Sequence, residues 1–271
     1  MPPPSTNLKT WFRSALSTYS DTGGTVPCAD GDPVKFWGDQ SGNANTAKST
    51  STGTSPIFKS AGVTINGTTY ASVRFAAGSS QKLVNATASF LGAYTSHETY
   101  SAYIVMSKTT ADACMMGNQG SGGLHNSNQQ FRSGYPSATQ IYMYDAVNAV
   151  NSTSMAVAVT TPSLVEVVYD NANMYFYQNT NPYGSPSAVN GGGIWWDCIG
   201  AGAGGPSLFL SGDIVEILLY TGNQNSTVRG QVESYVLATY PGLWASSGNV
   251  VPLAQRNMTG NLSQLTGGIH G

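Results

Sequence analysis

Acidic residues come close together at two places in the sequence. Glu166 and Asp170 enclose the segment Glu-Val-Val-Tyr-Asp, and Asp213 and Glu216 enclose the segment Asp-Ile-Val-Glu. A retaining glycosidase needs two carboxyl groups about 5–5.5 Å apart on one face of a cleft. Neither segment supplies a strand with such a carboxylate pair, so the sequence offers no evident acid–base machinery.

The three histidines do not supply a catalytic centre either. His97, His125 and His270 are far apart, and no Ser-His-Asp or Cys-His motif emerges around them. The Gly-rich runs lack the Lys or the following helix of a phosphate-binding loop. We therefore predict that the chain is not an enzyme. A glycoside hydrolase is retained as the third functional hypothesis, after the two non-enzymatic ones given at the end of this section.

Glu216 is the unusual residue of an apolar run that spans residues 214–220. Side chains alternate along a strand, so Glu216 is expected to share its face with apolar neighbours at positions 214, 218 and 220. A carboxylate on such a face needs a cationic or hydrogen-bonding partner. Arg229 and Arg74 are the candidates, and we predict a buried structural ion pair.

Trp195 and Trp196 are adjacent, so on a strand one ring points inward and the other outward. An exposed Trp beside a Gly-rich loop provides a stacking surface for a sugar, and the nearby polar residues Asp197, Asn181 and Tyr183 add contacts. This is the predicted glycan site. The alternative is that both tryptophans pack inside the protein or against a neighbouring subunit.

Short runs of β-branched and aromatic residues, separated by turn residues, predict an all-β fold. The clearest runs are residues 8–13, 100–107, 164–169 and 174–177. Residues 117–139 are rich in Gly, Ser, Asn and Gln, with isolated aromatic residues. Such a spacing of short strands is typical of a two-sheet sandwich.

One convincing helix follows the run around Glu216. Its apolar residues recur at helical spacing, at Val228, Val232, Tyr235, Val236 and Tyr240. Ser226 or Thr227 is expected to cap its start, and Pro241-Gly242 ends it. A lone amphipathic helix after a buried strand must place its apolar stripe on a β-sheet.

Three segments in order carry a family resemblance. Residues 32–43, 65–83 and 212–240 resemble the motifs of LamG-like jelly rolls, which are concanavalin A-like lectin/glucanase sandwiches. The match covers about residues 8–243. It implies two antiparallel sheets of jelly-roll type with one C-terminal helix. It implies little about activity, because this fold hosts many functions, and the Glu-x-Asp-x-x-Glu strand of the family's glucanases is missing.

Many relatives of this type bind calcium, and Asp39 is the candidate ligand here. It lies in the polar turn Trp37-Gly-Asp-Gln-Ser-Gly-Asn43. A tight calcium site usually collects several carboxylates, and this turn has only one. We therefore expect Asp39 to hold backbone N–H groups of the turn, and we expect no metal or other cofactor.

The chain divides into three predicted parts: a lead over residues 1–7, the sandwich over 8–244 and an extended arm over 245–271. The arm's apolar residues follow no period of 2 or 3.6. We expect them to anchor the arm on another virion protein or on a second copy of the chain. The main anchors are Val250, Leu253, Leu262, Leu265 and Ile269.

Composition narrows the class of protein. Charged residues make up 9% and the net charge is −2, so a nucleic-acid partner is not expected. No run reaches the roughly 18 apolar residues of a membrane span. Three distant cysteines argue against a disulfide framework.

The residues at the start, 1–7, do not resemble a signal peptide, while the composition resembles that of extracellular proteins. The main prediction is a phage virion surface protein, a capsid decoration or fibre subunit made in the host cytoplasm, that binds glycans. The alternative is a secreted bacterial carbohydrate-binding or adhesion module with an extracellular location.

Overall fold

A computed structural model provides the fold. The structure describes these residues: 1–49, 51–92, 99–109, 113–118, 130–133, 141–144, 149–151, 161–188, 194–202, 209–222 and 225–243. They form antiparallel strands, two short 3-10 turns at Thr52–Thr54 and Ala77–Ser79, and one α-helix.

The strands and the helix occur in the following order. They are β1 (Leu8–Arg13), β2 (Thr18–Tyr19), β3 (Phe36–Trp37), β4 (Ala47–Lys48), β5 (Ile57–Ile65), β6 (Thr68–Phe75), β7 (Leu83–Val84), β8 (Tyr100–Lys108), β9 (Ala113–Gly117), β10 (Gln130–Ser133), β11 (Ile141–Tyr144), β12 (Ala149–Asn151), β13 (Ser163–Tyr169), β14 (Asn173–Gln178), β15 (Asn181–Pro182), β16 (Ser187–Ala188), β17 (Cys198–Ile199), β18 (Gly212–Thr221) and α1 (Ser226–Thr239).

The strands form two antiparallel sheets. Sheet A has the order β15-β14-β13-β8-β18-β6-β5, with β1 beside β18 and β16 beside β14. Sheet B has the order β12-β11-β10-β9-β17-β7-β4-β3-β2. The long, apolar strands β8, β13 and β18 lie together in sheet A because they are covered on both faces.

The main core lies between the two sheets. Sheet A contributes Phe12, Ile104 and Ile217, and sheet B contributes Trp37 and Phe131; all five side chains are fully buried. Burying a side chain of this kind stabilises the fold by roughly 1.5–3 kcal/mol. Alternation then turns the neighbouring side chains toward the outer faces of the two sheets.

The outer face of sheet A is covered by α1. Val232, Tyr235 and Val236 of the helix pack on side chains of β8, β13 and β18 in a second apolar cluster. Asn225 caps the helix, because its side chain accepts hydrogen bonds from the backbone N–H groups of Thr227 and Val228. The predicted helix is confirmed, but the cap lies one residue before the predicted Ser226.

A β-bulge in β18 changes the face on which Glu216 lies. The register against β8 shifts between Ile214 and Glu216, so two consecutive residues point the same way. Ile214 lies in the inter-sheet core, whereas Val215 and Leu218 lie in the cluster under the helix. The prediction that Glu216 shares a face with Ile214 is therefore wrong, and Glu216 faces α1.

The all-β prediction of two antiparallel sheets with one helix is confirmed for the described residues. Within them, no helix has the length and apolar character to cross a bilayer. The arm over 245–271, with Val250, Leu253, Leu262, Leu265 and Ile269, lies outside the described residues, as do His97, His125 and His270. The predicted division at residues 7 and 244 stays a prediction.

Candidate functional site: the outer face of sheet B

Two stacked sheets have four faces, and three of them are already occupied. The facing sides of sheets A and B form the main core. The outer side of sheet A carries the helix. The outer side of sheet B is partly covered as well, because Val84 and Cys198 are buried there with Ala201 and Phe209. The rest of this side is the sheet surface that remains to be assigned.

The central strands of sheet B present polar side chains on this outer side. Phe131 and Met143 point into the core, so their strand neighbours Gln130, Arg132 and Tyr142 point away from it. The Arg132 guanidinium lies over the Tyr142 ring, 5.7 Å from its centroid, and its Nη1 donates to Gln130 Oε1 at 3.3 Å. The result is a planar amide, a cation and an aromatic ring side by side.

The segment before β17 adds two residues to the same side. Trp196 points inward, and its ring stacks on that of Phe131 at 5.9 Å. Trp195 lies outside that core, and its Nε1 donates to Asp197 Oδ2 at 3.3 Å. We call the set of outward side chains the polar face: Gln130, Arg132, Tyr142, Trp195 and Asp197. All of them except Tyr142 are buried, with Gln130 5%, Arg132 7%, Trp195 8% and Asp197 2% exposed, so a ligand reaches them only if the chain above them moves aside.

Backbone contacts bring the two parts of the polar face together. The backbone N–H of Asp197 donates to the Gly117 carbonyl at 3.1 Å, and Gly117 lies opposite Gln130 in the ladder between β9 and β10. Neighbouring strands are about 4.8 Å apart. Gln130 and Asp197 are therefore separated by about two strand spacings, with Gly117 between them.

The chain after β17 crosses directly over this surface. A Cβ at Gly117 would lie 2.6 Å from the Ala201 carbonyl oxygen, and a Cβ at Gly202 would lie 3.0 Å from Gln130 Cγ. Only glycine allows an approach this close. The crossing segment lies over Gly117, between Gln130 and Asp197, and accounts in part for the burial of Gln130.

The predicted glycan residues are only partly brought together. Trp195 and Asp197 meet on the polar face, but Trp195 is only 8% exposed and Trp196 is fully buried. Of the two predicted alternatives, packing inside the protein is the one observed for Trp196. Asn181 begins β15 at the edge of sheet A and Tyr183 follows that strand, so both lie on the other sheet.

Sequence reasoning missed Gln130, Arg132 and Tyr142, because residues 117–139 look like a loop. The usable signal is the alternation of polar and apolar residues in Gln130-Phe131-Arg132 and in Tyr142-Met143. Alternation over two or three residues predicts a strand only weakly.

Asp39 acts within its own turn. Oδ1 accepts from the backbone N–H groups of Trp11 and Ser41 at 2.9 Å. Oδ2 accepts from the Ser41 hydroxyl at 2.8 Å and from the Asn45 N–H at 3.0 Å. These bonds fasten the turn to β1, as the turn interpretation predicts. In the described part of the chain, no group of three or more His, Cys, Asp or Glu residues is placed to hold a metal ion.

Glu216 is buried, as predicted, but its partners differ from the prediction. It is 1% exposed, and Oε1 accepts from Trp11 Nε1 and from the Tyr235 hydroxyl, both at 2.6 Å. Burial raises the pKa of Glu216, and hydrogen bonds from Tyr235 and Trp11 oppose that rise.

The two predicted arginine partners pair elsewhere. Arg229 Nε lies 3.0 Å from Glu233 Oε1 one turn along the helix. Arg74 Nε lies 3.0 Å from Asp213 Oδ1 across the β6–β18 ladder. The predicted Glu216 ion pair with Arg229 or Arg74 is therefore wrong, because the bulge turns Glu216 toward Trp11 and Tyr235.

A second buried carboxyl group faces the helix. Glu166 of β13 is fully buried and Glu233 of α1 is 1% exposed. Burial raises the pKa of Glu166 well above its usual range, and the charge of Glu233 raises it further, while Arg229 opposes the rise. These groups are closed between helix and sheet, so they have no contact with a substrate.

A cleft of about 300 Å³ lies near the turn between β5 and β6. It is lined by Thr64, Ile65, Asn66, Thr161, Pro162, Gly242 and Leu243. None of these residues carries an acid or a base, so the cleft offers hydroxyl and amide contacts without proton-transfer chemistry.

Comparisons with known proteins agree on the fold. No family model matches the chain, and no curated protein matches it. An arabinofuranosidase, solved in complex with arabinofuranosyl-α-1,2-xylobiose, is 15% identical and superposes with a TM-score of 0.55 over 77% of this chain and 51% of that one. A GH54 α-L-arabinofuranosidase soaked with a cyclic sulfate inhibitor gives 16% identity and a TM-score of 0.51 over the same shares.

A third similar structure is domain 4 of AbnA, a GH43 extracellular arabinanase from Geobacillus stearothermophilus, in complex with arabinotriose. It is 13% identical, with a TM-score of 0.49 over 83% of this chain and 98% of that domain. The chain thus spans about half the length of the arabinofuranosidases and nearly all of the arabinanase domain. At these identities the likeness shows the β-sandwich fold.

These comparisons correct the main functional prediction. The two arabinofuranosidases that share the fold are glycoside hydrolases. The prediction of a non-enzymatic phage virion surface protein is therefore wrong, as is the prediction that the chain is not an enzyme. At 15% and 16% identity, what the chain shares with these two enzymes is the β-sandwich fold.

Proposed function

We propose that the chain is a glycoside hydrolase whose sugar-contacting surface is the polar face of sheet B. The observation that carries the proposal is the placement of Gln130, Arg132, Tyr142, Trp195 and Asp197 on the sheet side that neither the core nor the helix occupies. Similar solved structures act on sugars and support the reaction class.

The side chains of the polar face suit sugar recognition. Aromatic rings such as Tyr142 offer an apolar face to the C–H side of a sugar ring. Gln130 and Arg132 offer hydrogen-bond donors, and Gln130 also offers an acceptor, to the sugar hydroxyl groups. A concave or walled surface with a few such polar groups is the usual form of a small-molecule site.

Asp197 is the proposed acid–base residue of this surface. Hydrolysis of a glycosidic bond uses two carboxyl groups, one to protonate the leaving oxygen and one to act as nucleophile or to activate water. Asp197 supplies one of them. Within the described residues, Asp197 is the one carboxyl group of the polar face.

Arabinofuranosides are the first substrate class to test. Two of the similar structures are arabinofuranosidases, and one of them was solved with an arabinofuranosyl-xylobiose. We also propose that the fold is a jelly roll of the concanavalin A type and that the chain acts outside the cell, as its composition indicates. The expected contact of residues 245–271 with another chain stays a prediction.

The test is release of arabinose by the full chain from 4-nitrophenyl α-L-arabinofuranoside and from arabinose-substituted xylan. We expect turnover by the unaltered chain and a loss of about 10²-fold or more for Asp197→Asn, because a positioned acid or base contributes that much.

Asp170→Asn is the matched control, since Asp170 accepts hydrogen bonds from the turn backbone and from the Tyr175 hydroxyl at the β13–β14 turn on sheet A. It is expected to keep full turnover. Absence of turnover on both substrates, or full activity of Asp197→Asn, would contradict the proposal. Binding without turnover would refute the hydrolase assignment and keep the polar face as a sugar site.

A further inference from the structure

The interface between α1 and sheet A holds more buried acid than its cations balance. Glu166 and Glu233 face each other there, and Arg229 is the cation beside them. Arg229 pairs with Glu233 at 3.0 Å and lies 3.8 Å over the Tyr177 ring. One guanidinium therefore serves two carboxyl groups in a region closed to water.

When both groups are carboxylates, Glu233 cannot donate a hydrogen bond to Glu166. Neither Glu166 oxygen makes a hydrogen bond of ordinary geometry within the described structure, although the Thr180 N–H is nearby. Glu166 lies opposite Tyr177 in the β13–β14 ladder, and Arg229, which pairs with Glu233, lies over the Tyr177 ring, so the two carboxyl groups are neighbours. A proton between the two groups supplies the missing bond and removes one of the buried charges.

We propose that Glu166 and Glu233 share one proton between sheet A and α1, and that the helix loosens from the sheet when this proton is lost to bulk water. The pair then changes from one negative charge, balanced by Arg229, to two negative charges with a single cation. Since neither residue lies on the polar face, this inference is independent of the proposed function.

The groups that face Glu166 come from each element packed around it. They are Tyr103 of β8, Tyr177 of β14, Glu233 and Arg229 of α1, and the backbone N–H of Thr180 after β14. Both tyrosines have raised pKa values, chiefly from burial, so they stay neutral through the range in which the carboxyl pair titrates. Arg229 stays charged throughout.

The sign of the pH dependence follows from the raised pKa of Glu166. A folded-state pKa above the unfolded value gives stability that is fully present below the unfolded pKa. That stability is lost as the pH rises toward the folded pKa. The helix is therefore expected to be held most tightly in mild acid and to loosen in base.

The first test compares thermal unfolding and helix hydrogen exchange of the full chain from about pH 4, near the unfolded glutamate pKa, to about pH 9. We expect the melting temperature of the unaltered chain to fall by a few degrees, with faster corrected exchange at residues 226–239. Glu166→Gln keeps a hydrogen-bond donor toward Glu233 and cannot ionise. It should flatten both profiles relative to the unaltered chain.

Asp170→Asn is the matched control: although burial acts to raise the pKa of Asp170, hydrogen bonds from the backbone N–H groups of Asn173 and Ala172 outweigh it and lower that pKa. It should lower stability at every pH and keep the slope of the unaltered chain. A Glu166→Gln profile as steep as that of the unaltered chain would overturn the proposal.

A second measurement needs no variant. The ¹³C shift of the Glu166 carboxyl, followed by NMR in the intact chain, should titrate well above the usual glutamate range. Titration near the ordinary value of about 4.3 would also overturn the proposal.

Discussion

The outer faces of the two sheets carry polar residues for different purposes. On sheet A, Glu166 and Glu216 lie under the helix and find their partners inside the protein. On sheet B, the polar face of Gln130, Arg132, Tyr142, Trp195 and Asp197 lies on the side that the helix leaves free. The strongest pKa shifts thus mark a closed interface, while the candidate sugar surface is recognised by its position.

This difference shows how perturbed acids should be interpreted. Buried titratable groups often mark active sites, but structural networks perturb pKa values as well. Glu166 and Glu233 have the charge coupling of a catalytic pair without access to a substrate. Access to a substrate, rather than the size of a pKa shift, therefore distinguishes a catalytic pair from a structural network.

The adjacent tryptophans give the largest expected effect. Trp196 is fully buried between the sheets and stacks on Phe131, so Trp196→Ala should cost about 3–5 kcal/mol of unfolding free energy. Trp195→Ala should cost less, because this ring lies outside the inter-sheet core. Urea unfolding of both variants measures the difference. An equal or larger loss for Trp195→Ala would contradict the assignment of the two rings.

Substitutions at Glu216 test the outer face of sheet A, which the helix covers. Glu216→Ala should cost about 2–4 kcal/mol, because the Trp11 N–H and the Tyr235 hydroxyl lose their acceptor in a buried site. Glu216→Gln keeps an acceptor and should cost about 1 kcal/mol. Chemical denaturation at neutral pH gives both values, and a change below the error for Glu216→Ala would show that these bonds contribute nothing.

The helix cap gives the smallest effect. Asn225→Ala removes the acceptor for the first N–H groups of α1 and should cost about 1 kcal/mol. Hydrogen exchange should quicken in the first turn of the helix and stay unchanged in β10. Equal quickening in β10 would mean that the two outer faces are coupled, contrary to the separation described above.

The strongest sequence signals predicted the fold correctly. The alternating and apolar runs of β1, β8 and β13 and the helical spacing after β18 define elements long enough to be recognised. The prediction that Ile214 and Glu216 share a strand face failed because of a single residue. The bulge at Val215 turns Glu216 to the opposite face from Ile214, and residue propensities do not predict the position of such a bulge. The polar face was missed because its strands β10 and β11 are four residues long, too short for periodicity to identify.

The central claim is that the polar face of sheet B contacts sugar. The most direct measurement is hydrogen exchange of the full chain with and without a saturating arabinofuranosyl-xylan oligosaccharide. The account predicts protection in residues 130–133, 141–144 and 194–199, and none in α1. Protection confined to α1 or to the cleft beside Asn66, with 130–133 unchanged, would contradict it.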